Sequence, residues 1–191
     1  MKASLKIIFV VLVIIIAGIV LLQYKSQRKN KTGNPPKLTI HLNIMKIASP
    51  VFQNNESIPA KFTCDGENIN PPLEIKDVPE NAKSLALIMD DPDAPAAGGF
   101  VHWVVFSIDP AIKEIRENSA PQNAIEGTNS AGRAGYTSPC PPSGTHRYFF
   151  KLYALDATLA LDSSATREDV KKAIEGHILD QATLVGLYQR Q

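Results

Sequence analysis

The chain has 191 residues, with 20 basic and 19 acidic side chains and a formal net charge of +1. Apolar residues at 44% and charged residues at 20% exclude disorder as the main state, and 14 prolines with 11 glycines favour a turn-rich, sheet-rich fold. The near-neutral sum hides a split: residues 1–37 hold seven bases and no acid, whereas residues 38–191 carry all 19 acids, which argues against nucleic acid as the main partner of that part.

Residues 7–22 contain no polar side chain. As a helix this run is about 24 Å long. With Leu5 and Tyr24 added it nears the roughly 17–25 residues that span a bilayer. The expectation is an uncleaved N-terminal transmembrane helix, with residues 1–24 as the anchor and 5–24 in the membrane. A cleaved signal peptide competes, but no A-x-A pattern ends the run. Residues 25–37, closed by Pro35 and Pro36 before Lys37, read as a basic flexible linker. Residues 38–191 read as the folded domain. Bases flank the apolar run on both sides, so orientation stays open. The anchored reading favours an extracytoplasmic domain at a membrane.

Along the domain, residues 38–44 alternate apolar and polar side chains, the pattern of a half-buried strand. Residues 48–83 read as short strands and long loops. Residues 84–89, 100–108 and 147–155 are near-continuous apolar runs and are expected as buried strands. Between them, residues 117–145 lack periodicity, and a loop of that length in a compact domain is usually functional. Thr166 is expected to cap a helix whose first turn holds Glu168 and Asp169. Its buried stripe would be Val170, Ala173, Ile174 and Ile178. A closing strand is expected over residues 182–188.

Titratable groups concentrate at three strand ends. The first is Asp90-Asp91-Pro92-Asp93-Ala94-Pro95, where prolines stiffen the backbone that aims the carboxylates. The second is His102, inside an otherwise apolar strand. A lone His there needs only a hydrogen-bond partner to be a core residue. The third is the run 138–148, where a proline-rich turn delivers His146, Arg147 and Tyr148 to the mouth of a strand. In a strand His146 and Tyr148 share one face and Arg147 takes the other, free to pair with a carboxylate such as Asp91. Two imidazoles and a phenol offer donors to an anion, and nearby carboxylates favour the imidazolium form. Two ionised aspartates would repel a phosphate, so at least one must be paired or protonated.

At these segments the chain resembles the phosphatidylethanolamine-binding protein (PEBP) family, and within it the bacterial Raf-kinase-inhibitor-like proteins. The likeness rests on Asp91-Pro92-Asp93-Ala94-Pro95, Phe100-Val101-His102-Trp103 and the run Cys140 to Tyr148. It extends to Phe62-Thr63-Cys64-Asp65-Gly66 and Asn70-Pro71-Pro72. The resemblance implies a mostly β fold: a β-sandwich of two packed antiparallel sheets with a few peripheral helices. It also implies an anion-binding pocket made of Asp91, Asp93, Pro95, His102, Pro141, His146 and Tyr148; Arg147, on its strand position, is read as structural support that holds the acidic turn in place. Its ligands would be small phosphate-type anions or phospholipid headgroups. A protein partner, a kinase or a protease, would be regulated or inhibited, serine-protease inhibition being the alternative. No catalytic residue, cofactor or metal is expected.

Two enzyme-like readings are weaker on the residues alone. No serine sits in a G-x-S-x-G context, so a hydrolase lacks its nucleophile elbow. Asp91, Asp93, His102 and His146 could ligate zinc, but no H-x-x-x-H or C-x-x-C spacing accompanies them. The two cysteines, Cys64 and Cys140, leave a disulfide and a pair of free thiols equally open.

Overall fold

The computed structural model describes residues 18, 21–23, 25 and 44–190. The chain divides into two compact units, Met1–Leu42 and Asn43–Gln191. The second unit contains the strands β1 (Lys46–Ala48), β2 (Glu56–Ser57), β3 (Leu73–Lys76), β4 (Ser84–Asp91), β5 (Phe100–Ile108), β6 (Glu114–Ile115), β7 (Ile125–Glu126), β8 (His146–Leu155) and β9 (Ile178–Tyr188). One α-helix, α1 (Arg167–Ile174), and one 3-10 turn at Ala60–Phe62 complete it.

Two sheets form. The smaller has the order β1-β3-β6 and the larger β2-β9-β8-β4-β5-β7. Pairing is antiparallel except between β2 and β9, which run parallel. The family resemblance implied antiparallel sheets throughout, and the short β2 is the departure.

The apolar runs become the central strands because both of their faces are covered. On β4, Leu85, Leu87 and Met89 join a core that also holds Ile47, Leu73, Ile75 and Ile115 from the smaller sheet. Tyr148, Phe150, Leu152 and Ala154 of β8 face the same inter-sheet core. The intervening residues of β4, Ala86 and Ile88, join a second core with Val170 and Ile174 of α1. One strand therefore feeds two cores through the period of two.

Thr166 caps α1 in a capping box with Asp169, as the sequence suggests. The helix ends earlier than its apolar spacing implies. Gly176 follows at φ +79°, and the His177 amide donates to the Ile174 carbonyl at 3.0 Å, turning the chain back. Ile178 consequently opens β9, 43% exposed, instead of closing the helical stripe. The strand expected over residues 38–44 lies outside the described residues except for its last one, and pairing begins at Lys46.

The expected membrane-spanning helix is overturned. Among the described residues no helix is long and apolar enough to cross a membrane. Most of residues 1–24, and all of 26–37, lie outside the described residues. Hydropathy measures what a segment gains by leaving water, not the length of helix it forms. The uninterrupted run reaches about 24 Å against a hydrocarbon core of about 30 Å. The single-pass anchor falls, and with it the extracytoplasmic membrane placement that rested on it.

Candidate functional site

A cavity of about 260 Å³ opens where β4, β5 and β8 end, on the side of the larger sheet that faces the inter-sheet core. It is lined by Asp91, Pro95, Phe100, His102 and His146, and by a wall that runs from Thr137 to Pro142.

Each strand aims its residue by a different local device. Asp91 ends the series Leu85, Leu87, Met89 and so points to the cavity side, whereas Asp90 points to the other face. There Asp90 meets Lys151 at 2.9 Å and Arg167 at 3.7 Å. His146 and Tyr148 belong to the inward series of β8, as expected from the alternation.

His102 needs more than alternation. Trp103 and Val105 face the inter-sheet core, so an unbroken strand would turn His102 to the opposite face with Val104. Met89 pairs with Trp103, but Asp90 pairs with Val101, leaving His102 as one extra residue on β5. This bulge places Val101 in the second core and leaves His102 beside Trp103 on the cavity side.

The acidic turn is fixed by its own backbone. Asp91 Oδ1 accepts from the amides of Asp93 at 2.8 Å and Ala94 at 3.1 Å. Gly99 closes the turn at φ +77°, and a Cβ there would collide with the Asp91 carbonyl oxygen and lie 3.0 Å from Pro92 Cα. The other carboxylate oxygen of Asp91 sits 2.7 Å from His146 Nδ1, in a pair that is 4% and 10% exposed.

Arg147 does not reach Asp91. It grips Asp93 instead, with Nε and Nη2 at 2.9 and 2.7 Å and its backbone amide at 2.9 Å. The Arg147 hydrogen bonds hold the Asp93 carboxyl at about 2, against some opposing desolvation. The two aspartates thus divide labour: Asp91 binds an imidazole in the cavity, and Asp93 clips the turn to the start of β8. Asp93 is not among the cavity-lining residues, and neither is Tyr148. Tyr148 lies fully buried behind His102, ring edge to ring with centroids 5.2 Å apart, and burial pushes its phenol up. Pro95 and Pro141 do line the cavity.

His102 Nδ1 lies 2.7 Å from the Thr137 carbonyl oxygen. That carbonyl can only accept, so Nδ1 carries the proton. Among the described residues, His102 Nε2 and Tyr148 Oη have no hydrogen-bond partner although both are buried. The carboxylates near His102 were expected to hold it protonated. Burial outweighs them and lowers its pKa, with the Thr137 carbonyl, Asp91 and Asp90 acting in the opposite direction.

The wall is tied down at several points. Cys64 and Cys140 form a disulfide. The Cys64 amide donates to the Pro139 carbonyl at 3.0 Å, the Ser138 amide to Asn68 Oδ1 at 3.0 Å, and Tyr136 Oη to the Phe62 carbonyl at 2.9 Å. Asn129, buried, donates to Gly135 O at 2.8 Å and Thr137 Oγ1 at 3.1 Å. Thr137, Asn129 and Asn68 were not singled out from the sequence. Thr137 acts on His102 through its backbone, which no side-chain motif reveals. The long aperiodic loop over 117–145 was the one signal in the sequence that pointed to this wall.

Among the described residues no group of three or more His, Cys, Asp or Glu is arranged to hold a metal ion.

The PEBP family profile, described as phosphatidylethanolamine-binding protein, matches residues 48–189. A UPF0098 protein of Methanothermobacter thermautotrophicus is 50% identical over 151 residues, covering 76% of this chain and 99% of its own. A crystal structure of a PEBP homologue from Chlamydia trachomatis superposes with a TM-score of 0.75 at 40% identity, over 78% of this chain and 99% of that one. Escherichia coli YbcL, described as a member of the mammalian PEBP family, superposes with a TM-score of 0.73 at 28% identity, over 77% and 99%. With the profile spanning most of the folded unit and these relatives matched nearly end to end, the chain belongs to the phosphatidylethanolamine-binding protein family.

Proposed function

We propose that this protein acts by binding, not by catalysis, and that its cavity receives a small phosphate-type anion, free or carried on a larger molecule such as a phospholipid headgroup. The observation that carries the reading is His102 Nε2, buried and unpartnered on the wall of a cavity that also holds the Asp91–His146 pair. A buried polar atom without a partner costs stability unless something completes it. The cavity is smaller than the roughly 300–1,000 Å³ of sites for drug-sized ligands, which suits a compact group. Its walls, Pro95, Phe100, Pro141 and Pro142, are apolar and strengthen the few polar contacts by excluding water. When His146 is protonated its charge cancels that of Asp91, so the carboxylate need not repel the anion. Arg147 and Asp93 keep the acidic turn in place from outside, and Tyr148 supports His102 from behind.

A hydrolytic role lacks support at the imidazoles. Nδ1 of His102, His146 and His177 contacts the Thr137 carbonyl, Asp91 and Asp156 respectively, not a serine hydroxyl. The name of the matched family, phosphatidylethanolamine-binding, agrees with a phosphate-type ligand.

The test is an NMR titration of the full chain with phosphoethanolamine. Saturable shifts are expected at the His102 and His146 imidazoles and at the Thr137 amide. The exposed His177, paired with Asp156 outside the cavity lining, is the internal control. Shifts absent from His102 and His146, or equal at all three imidazoles, overturn the reading.

A further inference from the structure

Resting on the phosphate-type reading, we propose that the cavity selects a phosphoryl group that is singly ionised and still carries one proton, with His102 Nε2 accepting the ligand's P–OH. A phosphate monoester meets that requirement. A phosphate diester does not, which narrows the phosphate-type reading by removing the intact phospholipid headgroup from it.

The first support is the tautomer. The Thr137 carbonyl, 2.7 Å away, holds the imidazole proton on Nδ1, so the neutral ring presents a lone pair at Nε2. Among the described residues nothing donates to that lone pair.

The second is that the surroundings of the ring favour its neutral form. His102 is 4% exposed, with the Phe100 ring 4.8 Å and the Tyr148 ring 5.2 Å from its own. The groups that act on it are Asp91 from β4, with Asp90 acting from the other face, His146 and Tyr148 from β8, and Thr137 and Ser138 from the wall. Asp91 is engaged by His146, and Asp90 by Lys151 on the far face of the sheet. Asp90 keeps one oxygen, Oδ1, without a hydrogen-bond partner, but its side chain points to the far face, and burial outweighs both carboxylates and lowers the His102 pKa.

The third is charge. The cavity lining contains no Lys or Arg among the described residues, and Arg147 is committed to Asp93. Asp91 and His146 sum to zero at best. A second negative charge on the ligand would enter a largely apolar cavity uncompensated. The ligand must therefore bring one hydrogen-bond donor and no more than one negative charge. A monoester dianion fails on both counts, the dianion of inorganic phosphate, which keeps a P–OH, fails on charge, and a diester fails on the first.

The test uses the full chain and calorimetric titration from about pH 5.5 to 8.5, a window that spans the second ionisation of common phosphoryl groups. The probes are methylphosphonate, inorganic phosphate and methyl phosphate, whose second ionisations become progressively more acidic in that order. Dimethyl phosphate has no P–OH, and glycerophosphoethanolamine adds an ammonium donor to a diester. Affinity is expected to fall about tenfold per pH unit above each probe's own second pKa, so the midpoint moves with the probe. Both diesters are expected to bind at least about tenfold more weakly than inorganic phosphate at the acid end of the range. A midpoint shared by all three titrating probes marks a protein imidazole as the proton donor and overturns the proposal, while anion binding itself stands. Affinity rising with pH, or either diester matching phosphate, overturns it equally. Failure of every probe at every pH removes the phosphate-type reading, and this proposal with it.

Discussion

Removal of the Cys64–Cys140 link, by Cys64→Ser with Cys140→Ser or by reductant, separates its effect on the unfolded chain from its effect on the cavity. The bond joins positions 76 residues apart, with both cysteines at the surface and open to reductant. In the chain-entropy account a loop of that length is worth about 4.5 kcal/mol, and native disulfides commonly deliver about 2–5 kcal/mol. For a domain of this size a urea slope of about 1.5–2 kcal/mol/M is ordinary, so the unfolding midpoint should drop by about 1–3.3 M. The native wall has other ties: Cys64 N to Pro139 O, Ser138 N to Asn68 Oδ1, and Tyr136 Oη to Phe62 O. Under native conditions the reduced protein should therefore bind phosphoethanolamine within about fivefold of the oxidised protein, or about 1 kcal/mol. The assays are urea unfolding followed by tryptophan fluorescence, from the chain's one Trp, and calorimetric titration on both redox forms. An unchanged midpoint refutes the entropic reasoning. A normal midpoint shift with binding abolished refutes the claim that the non-covalent ties suffice to hold the wall.

Three further outcomes are expected at the site. Asp93 has a folded pKa of about 2, below its ordinary value of 3.8, so its bond to Arg147 stabilises above about pH 4 and is lost as pH falls through about 2. With Arg147 55% and Asp93 28% exposed, Asp93→Asn should cost no more than about 1 kcal/mol at pH 6, shrinking towards zero near pH 2 in urea unfolding. The depressed pKa of His102 has its own sign: below about pH 6.5 the unfolded chain takes a proton that the folded one refuses. Stability should decline as pH falls from 6.5 towards the folded value, and an imidazole NMR titration should show the His102 midpoint below 6.5. A midpoint above it would contradict the burial argument. Gly99→Ala places a Cβ against Asp91 O at a left-handed φ, and should cost about 1–3 kcal/mol by thermal unfolding and weaken phosphoethanolamine binding.

Much of the fold was legible because burial on both faces leaves a signature in composition. The runs that became β4, β5 and β8 are apolar almost without interruption, and the helix announces itself through Thr166 and Asp169. Ile178 misled because helical spacing continues past the point where Gly176 turns the chain. The N-terminal run misled because apolarity alone does not establish a spanning helix. The site was legible as a set of segments but not as a set of partners. Asp91 and Asp93 look interchangeable in Asp91-Pro92-Asp93, yet one pairs with His146 and the other with Arg147.

The order of charged and apolar residues was enough to place carboxylates at one strand end and imidazoles at two others, since strand alternation and proline turns are local rules. The domain's acidic excess, also plain in the sequence, does not describe its cavity, where a single carboxylate is paired with an imidazole and the residue beside them is neutral. Three features came only from the tertiary structure. The bulge that keeps His102 on the cavity side depends on its register against β4, a pairing between separate segments of the chain. The proton on its Nδ1 depends on a carbonyl 35 residues away. The lowered pKa depends on burial under the wall that Cys64 holds through Cys140. A local sequence window holds none of these, because each is a distance between parts of the chain that meet only after folding.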